Sequence, residues 1–228
     1  DVKKGDNIIV PNYTCVSNLS SVSQCGARAI LVDIEKDTFG LDYALVIEAI
    51  KKYKPKAIQL VHVYGFPARD TIKIIKICKK KNIKIIEDTS ESLGSKIGKK
   101  IVGTFGDINV TSIRSEKMIG VGEGAVISTN NLKIFNNISL LASRAAPFRK
   151  AKDPYWKKYY VIGEGYNYLM PHLLGSVARG QIERFSKELL KKKIEVGKNY
   201  INILNKKNYM FGQKLIKKSK PVFWLNSI

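Results

Sequence analysis

The sequence predicts an α/β fold with a mainly parallel sheet, and three observations lead to that prediction. Short runs rich in Ile and Val alternate with amphipathic helical patterns through residues 1–144. Several of these runs are almost continuously apolar, as expected of strands that are buried on both faces. Hydrophobic residues make up 44% of the 228 residues, which is ordinary for a globular protein and sufficient for a sizeable core.

The elements follow one another in regular order. Six runs are predicted strands, at 7–11, 28–34, 57–64, 83–88, 108–113 and 124–129. Four stretches between them have helical periodicity, at 16–25, 42–53, 70–82 and 132–144. In an open parallel sheet, functional side chains gather where the strands end. Asp88 and Ser112 both stand at predicted strand ends, so we expect them to lie close together.

The alternation stops after residue 145. Residues 145–168 form a long connection that is aromatic and basic, and its tyrosines favour an ordered loop. A helical pattern then covers 172–206, and we predict a break near Gly197 because glycine weakens a helix interior. The run at 221–228 is predicted to be a strand.

The chain is strongly basic, with 40 Lys and Arg against 19 Asp and Glu and a formal net charge of +21. This charge fits either a nucleic-acid surface or helices whose solvated faces are rich in lysine. We favour the second interpretation because the lysines occupy polar positions of amphipathic helices, as in 72–84 and 187–200. No zinc-finger, RNA-recognition or helix-turn-helix signature accompanies the charge, so no nucleic-acid partner is expected. A basic protein does suit an anionic substrate.

The cysteine, histidine and hydropathy patterns argue against a disulfide framework, a histidine-based metal site and a membrane-spanning helix. Cys15, Cys25 and Cys78 have no CxxC spacing, which argues against a disulfide framework and indicates a reducing cytoplasm. His62 and His172 are the two histidines, so a histidine-based metal site is not expected. No run of about eighteen apolar residues occurs, so we predict no membrane-spanning helix and no membrane partner.

One group of residues points to a cofactor. Glu87 and Asp88 end a predicted strand, Ser112 ends another, and Lys117 precedes the glycine-rich turn at 120–124. A strand-end carboxylate, a hydroxyl, a lysine and a glycine-rich turn are what an enzyme needs to hold pyridoxal phosphate. The lysine would form a Schiff base with the aldehyde, and the carboxylate would keep the pyridine nitrogen protonated. The structural alternatives are a solvated surface lysine and an aspartate that caps a helix.

Several segments together resemble one known family, the DegT/StrS-type nucleotide-sugar aminotransferases, which are fold-type I pyridoxal-phosphate enzymes. The similar segments occur in family order at 5–18, 31–42, 61–70, 87–95, 103–108, 112–126, 165–172 and 221–228. The resemblance implies a mixed, mainly parallel sheet flanked by helices, with the start of a smaller C-terminal α+β domain. It divides the chain into a large cofactor-binding domain at 1–185 and the start of a small domain at 186–228. Family members extend further at both ends, so we expect both domains to be incomplete here.

The resemblance also assigns roles to residues. Lys117 matches the Schiff-base lysine, and its amine would carry the proton between the substrate carbon and the cofactor. Asp88 matches the partner of the pyridine nitrogen, and Ser112 matches a serine that binds the cofactor phosphate. Glu91 matches a position near the cofactor or the sugar, and a glutamate there resembles the subgroup that makes perosamine-like 4-amino sugars. All four residues are therefore expected in one active site.

Other matches are less complete. Cys15 stands where the family has an aromatic residue that stacks on the cofactor ring, and a polarizable thiol is a weaker contact. Asn167 matches an asparagine that reaches the cofactor phosphate of the neighbouring subunit, which implies a homodimer with a shared active site. Leu169 stands where the family usually has an arginine, so this loop lacks that cationic contact. Arg144 and His172 are further candidate substrate contacts.

The function implied by the resemblance is transfer of an amino group, with glutamate as the expected donor, onto a keto sugar linked to a nucleoside diphosphate. A GDP-linked 4-keto-6-deoxy sugar is the favoured substrate, and the product would enter amino-sugar and surface-polysaccharide biosynthesis. Alternatives are a dehydratase, an enzyme that acts on a non-sugar ketone, and a non-catalytic homologue. Family dehydratases replace the catalytic lysine with histidine, so Lys117 favours transamination.

Overall fold

The computed structural model describes residues 2–147, 152, 154–207 and 212–227. Its strands are β1 Asn7–Pro11, β2 Arg28–Val32, β3 Ala57–Val61, β4 Lys84–Asp88, β5 Lys96–Ile97, β6 Lys100–Ile101, β7 Ile108–Ser112, β8 Ala125–Ser128 and β9 Ser219–Lys220. Its α-helices are α1 Val16–Gln24, α2 Tyr43–Tyr53, α3 Thr71–Lys80, α4 Leu132–Ala142, α5 His172–Arg184 and α6 Leu190–Asn205.

The main sheet has six strands in the order β2-β1-β3-β4-β7-β8. The first five of these are parallel to their neighbours, and β8 pairs antiparallel with β7. The predicted α/β architecture with a mainly parallel sheet is therefore confirmed. Because parallel strands point the same way, the ends of β3, β4 and β7 meet at one edge, where ligands bind in such sheets.

The core lies between the sheet and the helices that connect its strands. The largest side chains buried there are Ile9, Leu41, Ile58, Leu60, Ile74 and Ile85. Helix α2 begins where the Asp42 carboxylate accepts hydrogen bonds from the N–H groups of Ala44 and Leu45. It ends at Lys54, whose φ of 46° is left-handed. This first half of the chain is thus a packed scaffold that holds the strand ends in place.

The predicted helical break near Gly197 is wrong. Gly197 lies inside α6, and a Cβ built on it would overlap the ring of Phe223. Glycine is therefore needed there for close packing and not to end the helix. The irregularity occurs earlier, in a π-helical turn at Phe185–Leu189 between α5 and α6. That turn coincides with the predicted domain boundary at 185/186, which stays a prediction.

The predicted strand at 221–228 is also wrong over the described part of that run. The strand formed here is β9, which pairs with β5 and precedes the predicted run. Phe223 has a left-handed φ of 55°, which is incompatible with an extended strand. Val222 instead donates its N–H to the Gly65 carbonyl at 3.0 Å, so the segment crosses the loop after β3. Residue 228 lies outside the described residues.

Two further regions differ from the sequence pattern. A short hairpin of β5 and β6 has no counterpart among the predicted strands, because two-residue strands carry no periodicity. The predicted ordered loop at 145–168 is described in part, and it contains a 3₁₀ turn at Tyr155–Tyr159. Residues 148–151 and 153 of that loop lie outside the described part. No described helix is long and apolar enough to cross a membrane.

Candidate active site

A cleft of about 680 Å³ opens at the edge of the sheet where the parallel strands end. Its lining residues come from five segments, 13–21, 59–64, 86–91, 110–117 and 123–125. Asp88, Glu91, Ser112, Lys117 and Cys15 all line this cleft. The structure therefore brings together five of the six predicted site residues, although they are separated by as much as a hundred positions in the chain.

Asp88 is the last residue of β4, and its carboxylate is held from two sides. Asn18 of α1 donates its side-chain N–H to Oδ2 at 3.0 Å, and the Ser90 N–H donates to Oδ1 at 2.9 Å. Asn18 is itself anchored, because its backbone carbonyl accepts from the buried Gln59 amide at 3.2 Å and its side-chain oxygen accepts from the Thr14 hydroxyl at 3.0 Å. Both donors are N–H groups, which fill acceptor positions on the two carboxylate oxygens. The Asp88 carboxylate is thus fixed in orientation at the cleft.

Lys117 projects into the cleft from a tight loop, with its side chain 11% exposed. The loop is clamped by α5, since Gln181 exchanges hydrogen bonds with both the N–H and the carbonyl of Gly120. Ile119 and Val121 are buried beside Ala178 of the same helix. Because packing on both sides of the turn fixes this loop, the Lys117 side chain is held in one direction. Lys117 is therefore not the solvated surface lysine of the structural alternative.

The glycines that follow Lys117 allow this tight path. Gly122 and Gly124 have φ angles of +104° and +154°, a region that side chains other than glycine rarely adopt. A Cβ on Gly120 would overlap the Ser115 carbonyl oxygen. The chain then enters β8, as the glycine-rich pattern predicted.

Glu91 faces Lys117 across the cleft. Its Oε1 lies 3.6 Å from Lys117 Nζ, and its Oε2 accepts a hydrogen bond from the Tyr64 N–H at 2.8 Å. Burial raises the pKa of the Glu91 carboxyl, and the nearby Asp88 adds to that effect; the Tyr64 N–H and Lys117 offset it in part. Glu91 is consequently a carboxyl that holds a proton more readily than an exposed glutamate.

Ser112 and Cys15 complete the predicted set inside the cleft. Ser112 ends β7, and its N–H donates to the Ser90 hydroxyl at 3.0 Å, which ties the ends of β4 and β7 together. Cys15 stands just before α1, where hydrogen bonds from the Ser17 hydroxyl and backbone lower the pKa of its thiol despite partial burial. The positive charge of Lys117 lowers that pKa further.

Asn167 does not lie among the residues that line the cleft. It is exposed, it forms a β-bridge with Ser143, and its side-chain oxygen accepts a hydrogen bond from Arg144 at 3.1 Å. His172 is also outside the cleft, as the exposed first residue of α5. Asn167, Arg144 and His172 therefore lie outside the lining of this cleft, and their functional roles stay predictions.

Glu87 is separated from Asp88 by the pleat of the strand. Glu87 is fully buried on the opposite side, where Nε2 of His62 donates to it at 3.0 Å. The Ala68 N–H donates to His62 Nδ1, which leaves the proton on Nε2. Side chains alternate along a strand, so this separation was readable from the sequence. Three backbone N–H donors, from Gly103, Phe105 and Gly106, complete the Glu87 site.

Three cleft-side residues were missed by the sequence interpretation: Asn18, Tyr64 and Trp224. Tyr64 lines the cleft with a left-handed φ of 55°, and its hydroxyl lies 2.7 Å from the Tyr13 hydroxyl. That contact, together with burial, raises the pKa of Tyr64 to about 12. Trp224 reaches Lys117 from more than a hundred residues away, and no sequence periodicity links them. No group of three potential metal ligands from His, Cys, Asp and Glu clusters within the described ranges.

Known proteins are similar to this chain over its whole length. The family model "DegT/DnrJ/EryC1/StrS aminotransferase family" matches residues 1–228. The GDP-perosamine synthase of Escherichia coli O157:H7 is 32% identical over 100% of this chain and 59% of its own length. The chain therefore spans less than two thirds of the length of that curated relative.

Two solved structures have the same fold. An E. coli GDP-4-keto-6-deoxy-D-mannose-3-dehydratase with bound hydrated pyridoxal phosphate is 24% identical, with a TM-score of 0.86. The match covers 99% of this chain and 59% of that structure. A mutant GDP-4-keto-6-deoxymannose-3-dehydratase with bound GDP-perosamine is 25% identical, with a TM-score of 0.84 over 98% of this chain and 59% of that structure.

Proposed function

Because the chain belongs to the DegT/DnrJ/EryC1/StrS aminotransferase family, we propose that it is the cofactor-binding part of an aminotransferase that uses pyridoxal phosphate. The observation that carries this proposal is the placement of Lys117. Its amine lies in a cleft at the strand ends, 3.6 Å from Glu91 and in the same cavity as the fixed carboxylate of Asp88. An amine, an anion and a hydroxyl around one cavity are the groups that such a cofactor requires.

The residues present fit the cofactor group by group. Lys117 supplies the amine for an aldehyde, Asp88 supplies an anion for a protonated ring nitrogen, and Ser112 supplies a hydroxyl for a phosphate. When bound, pyridoxal phosphate supplies the aldehyde and a cationic ring that accepts an electron pair. Cys15 contributes a polarizable thiol to the same wall. Each of these residue roles is a proposal.

Lys117 has two tasks in this scheme. Its amine would hold the aldehyde of a bound cofactor, and when free it would move a proton to and from the substrate carbon. The clamped loop keeps the amine within reach of the cleft floor during both tasks. Glu91 is placed to hold or return a proton beside it, because burial favours the protonated carboxyl. Asp88 would face the nitrogen of a bound ring, and the Asn18 and Ser90 donors hold its carboxylate in place for that contact.

The proposed acceptor is a keto sugar linked to a nucleoside diphosphate, with GDP-4-keto-6-deoxy-mannose as the favoured substrate and glutamate as the proposed donor. Its support is the similarity to a GDP-perosamine synthase over the whole of this chain. The net charge of +21 is compatible with an anionic substrate. Dehydration of the same sugar is the second candidate, because dehydratases share the fold. Incubation with the sugar and glutamate separates the two, since only transamination places nitrogen on the sugar.

A homodimer with a shared site is proposed on the basis of exposed apolar surface. Helix α4 carries Leu132, Phe135 and Leu141 exposed to solvent, and no buried residue within that helix. The adjoining strand β8 exposes Val126 and Ile127. The end of α4 lies beside Asn167, which forms a β-bridge with Ser143 and accepts a hydrogen bond from Arg144 just after that helix. A second subunit that covers them would receive Asn167 into its own cleft.

Mixing two inactive variants tests the shared site. In K117A and N167A proteins, each homodimer lacks one required group at both sites. A mixed dimer regains one complete site, with Lys117 from one subunit and Asn167 from the other. We expect recovery of a substantial fraction of activity on subunit exchange. No recovery, despite a confirmed mixed dimer, would contradict the arrangement.

A cytoplasmic location is likewise proposed, from the three free thiols.

The cofactor assignment is tested directly by borohydride reduction of the complete protein in the presence of pyridoxal phosphate. Peptide mass spectrometry should find the phosphopyridoxyl adduct on Lys117, and K117A should lose it. Lys100, an exposed lysine on β6, provides the matched control variant K100A, which should keep the adduct. An unmodified Lys117 peptide in the parent protein would overturn the proposed function.

A further inference from the structure

Trp224 lies directly against the amine of Lys117. The ammonium nitrogen is 3.9 Å from the centroid of the indole ring, well inside the range of about 6 Å over which an aromatic face attracts a cation. The indole N–H donates a hydrogen bond to the carbonyl oxygen of Glu116 at 2.8 Å. The ring therefore contacts the Lys117 side chain and also bonds to the backbone of the loop that carries Lys117.

The backbone of Trp224 is fixed independently of the lysine. Its neighbour Phe223 is buried against Gly197 of α6 and meets Phe66 edge to face at 5.3 Å. A Cβ on Gly65 would lie 2.6 Å from the backbone nitrogen of Trp224, so the two backbones are in close contact. The ring thus stands on a rigid support and does not simply follow the lysine.

We propose that Trp224 is a positioning residue for Lys117, and that its indole face stabilises the ammonium form while Lys117 carries a proton. This inference rests on the proposed function. An aromatic face attracts a cation but cannot accept its proton. A carboxylate such as Glu91, 3.6 Å from the same nitrogen, can do both. The indole therefore stabilises the protonated amine without competing for the proton that the reaction needs.

The charge changes during proton transfer show where the ring acts. When Lys117 takes the proton from the α-carbon of the amino donor, that C–H bond breaks and an N–H bond forms. The bonding electron pair would stay with the carbon, and the cationic ring of bound pyridoxal phosphate would supply the electron sink for it. The amine becomes an ammonium, so positive charge develops against the ring face. Stabilisation of that charge lowers the barrier to proton removal.

The same contact has the opposite effect on cofactor loading. Loading requires the neutral amine to leave the ring, so a ring that stabilises the free ammonium competes with loading. Trp attracts a cation more strongly than Phe does, and Leu has no such face. The series Trp224, W224F and W224L should therefore load the cofactor increasingly well and transfer the proton increasingly slowly. A purely structural role predicts that both properties decline together.

The experiment compares these three proteins as holoenzymes. Loading is measured as the fraction of Lys117 peptide that carries the adduct after borohydride reduction at a limiting concentration of pyridoxal phosphate. Proton transfer is measured in a single turnover with glutamate that is deuterated at the α-carbon. We expect W224L to transfer the proton about tenfold more slowly, with W224F in between, and to show a larger isotope effect. Loading of W224L should exceed that of the parent, with W224F in between.

The matched control is V222A, which removes a buried side chain from the same segment but leaves the indole in place. It should lower thermal stability while the isotope effect stays at the parent value. If W224L loses loading and rate in equal proportion, Trp224 has a structural role and the inference is overturned. If all three proteins load and transfer equally, it is also overturned while the proposed function stands. An absence of adduct on Lys117 in the parent would reject the proposed function, and this inference with it.

Discussion

Glu87 and Asp88 are adjacent carboxylates on β4, yet they belong to two different regions of the molecule. Glu87 is completely enclosed, and its oxygens accept four hydrogen bonds from His62 and three backbone N–H groups. Asp88 faces the open cleft with two hydrogen bonds. The strand alternation that separates them also separates their roles: one organises the loop at 103–106, and the other is open to a ligand.

The comparison shows that charge on a buried strand is used in two ways. A carboxylate that has all of its acceptor positions filled contributes to the fold, because no position is left for a ligand. A carboxylate that is held by donors on one side, with space on the other, is available for chemistry. Substitutions at these two residues and at their neighbours test this difference.

Replacement of the enclosed carboxylate should have the largest effect on stability. E87Q keeps the size of the side chain but turns an NH₂ group toward N–H donors that need an acceptor. We expect a loss of about 3 kcal/mol in the free energy of unfolding, since buried donors are left without partners. Urea denaturation measures this loss. D88N makes the same chemical change one residue away and should lose about 1 kcal/mol or less; equal losses in the two variants would remove the distinction.

Replacement of the open carboxylate should instead affect catalysis. D88N removes the anion that is proposed to keep the ring nitrogen protonated, while the amide oxygen of the new side chain still accepts a hydrogen bond. The rate of the first half-reaction should fall by about 10²–10⁴, the usual range for a group that controls protonation. Single-turnover absorbance measurements check this expectation. A rate close to that of the parent would show that Asp88 is not the partner of the ring.

Removal of the support behind Asp88 should have a smaller effect. N18A deletes the side-chain donor to Asp88 Oδ2 and leaves the carboxylate held only from the side of the Ser90 N–H. A hydrogen bond to a charged group contributes about 1.5–3 kcal/mol, so we expect cofactor affinity to fall by roughly tenfold or more. Absorbance titration with pyridoxal phosphate gives the affinity. S23A, at an exposed position of the same helix that does not line the cleft, is the control and should bind normally.

The smallest expected effect is a difference in pH dependence between Glu87 and Glu91. Burial by itself would raise the pKa of Glu87. Hydrogen bonds from His62, Gly103 and Phe105 lower that pKa by more than burial raises it, so the net pKa is below that of a free glutamate. Its ionised form therefore stabilises the fold above the unfolded pKa of about 4.3, and that contribution is lost as the pH falls through the folded value.

The pKa of Glu91 is shifted in the opposite direction to that of Glu87. Burial raises its pKa, so the folded state binds the proton more readily than the unfolded chain does. Its contribution is most favourable at and below the unfolded pKa and declines as the pH rises through the folded value. Over a pH range that extends below and above about 4.3, E87Q should thus lose stability relative to the parent as the pH rises toward 4.3, and E91Q should gain it as the pH rises beyond 4.3. Urea denaturation across that range tests both signs, and parallel curves would contradict them.

Much of the fold was readable from residues close together in the chain. The Ile- and Val-rich runs placed β1 at 7–11 without error and the other main strands within a few residues. The prediction failed at Gly197 and at 221–228, where long-range packing decides the backbone. Gly197 accommodates Phe223, and Phe223 takes a left-handed φ. Neither residue carries a local signal of the other.

The candidate site divides in the same way. By itself, the sequence determined that Asp88, Ser112 and Lys117 stand at strand ends and a glycine-rich loop, because hydrophobic periodicity and turn residues are local properties of the chain. Only the tertiary structure decided what surrounds them: Asn18 behind Asp88, Tyr64 on Glu91, and Trp224 over Lys117. Those contacts join segments that are 27 to more than a hundred residues apart. They depend on how the strands and loops pack, and packing is set by shape across the whole chain, which no local pattern encodes.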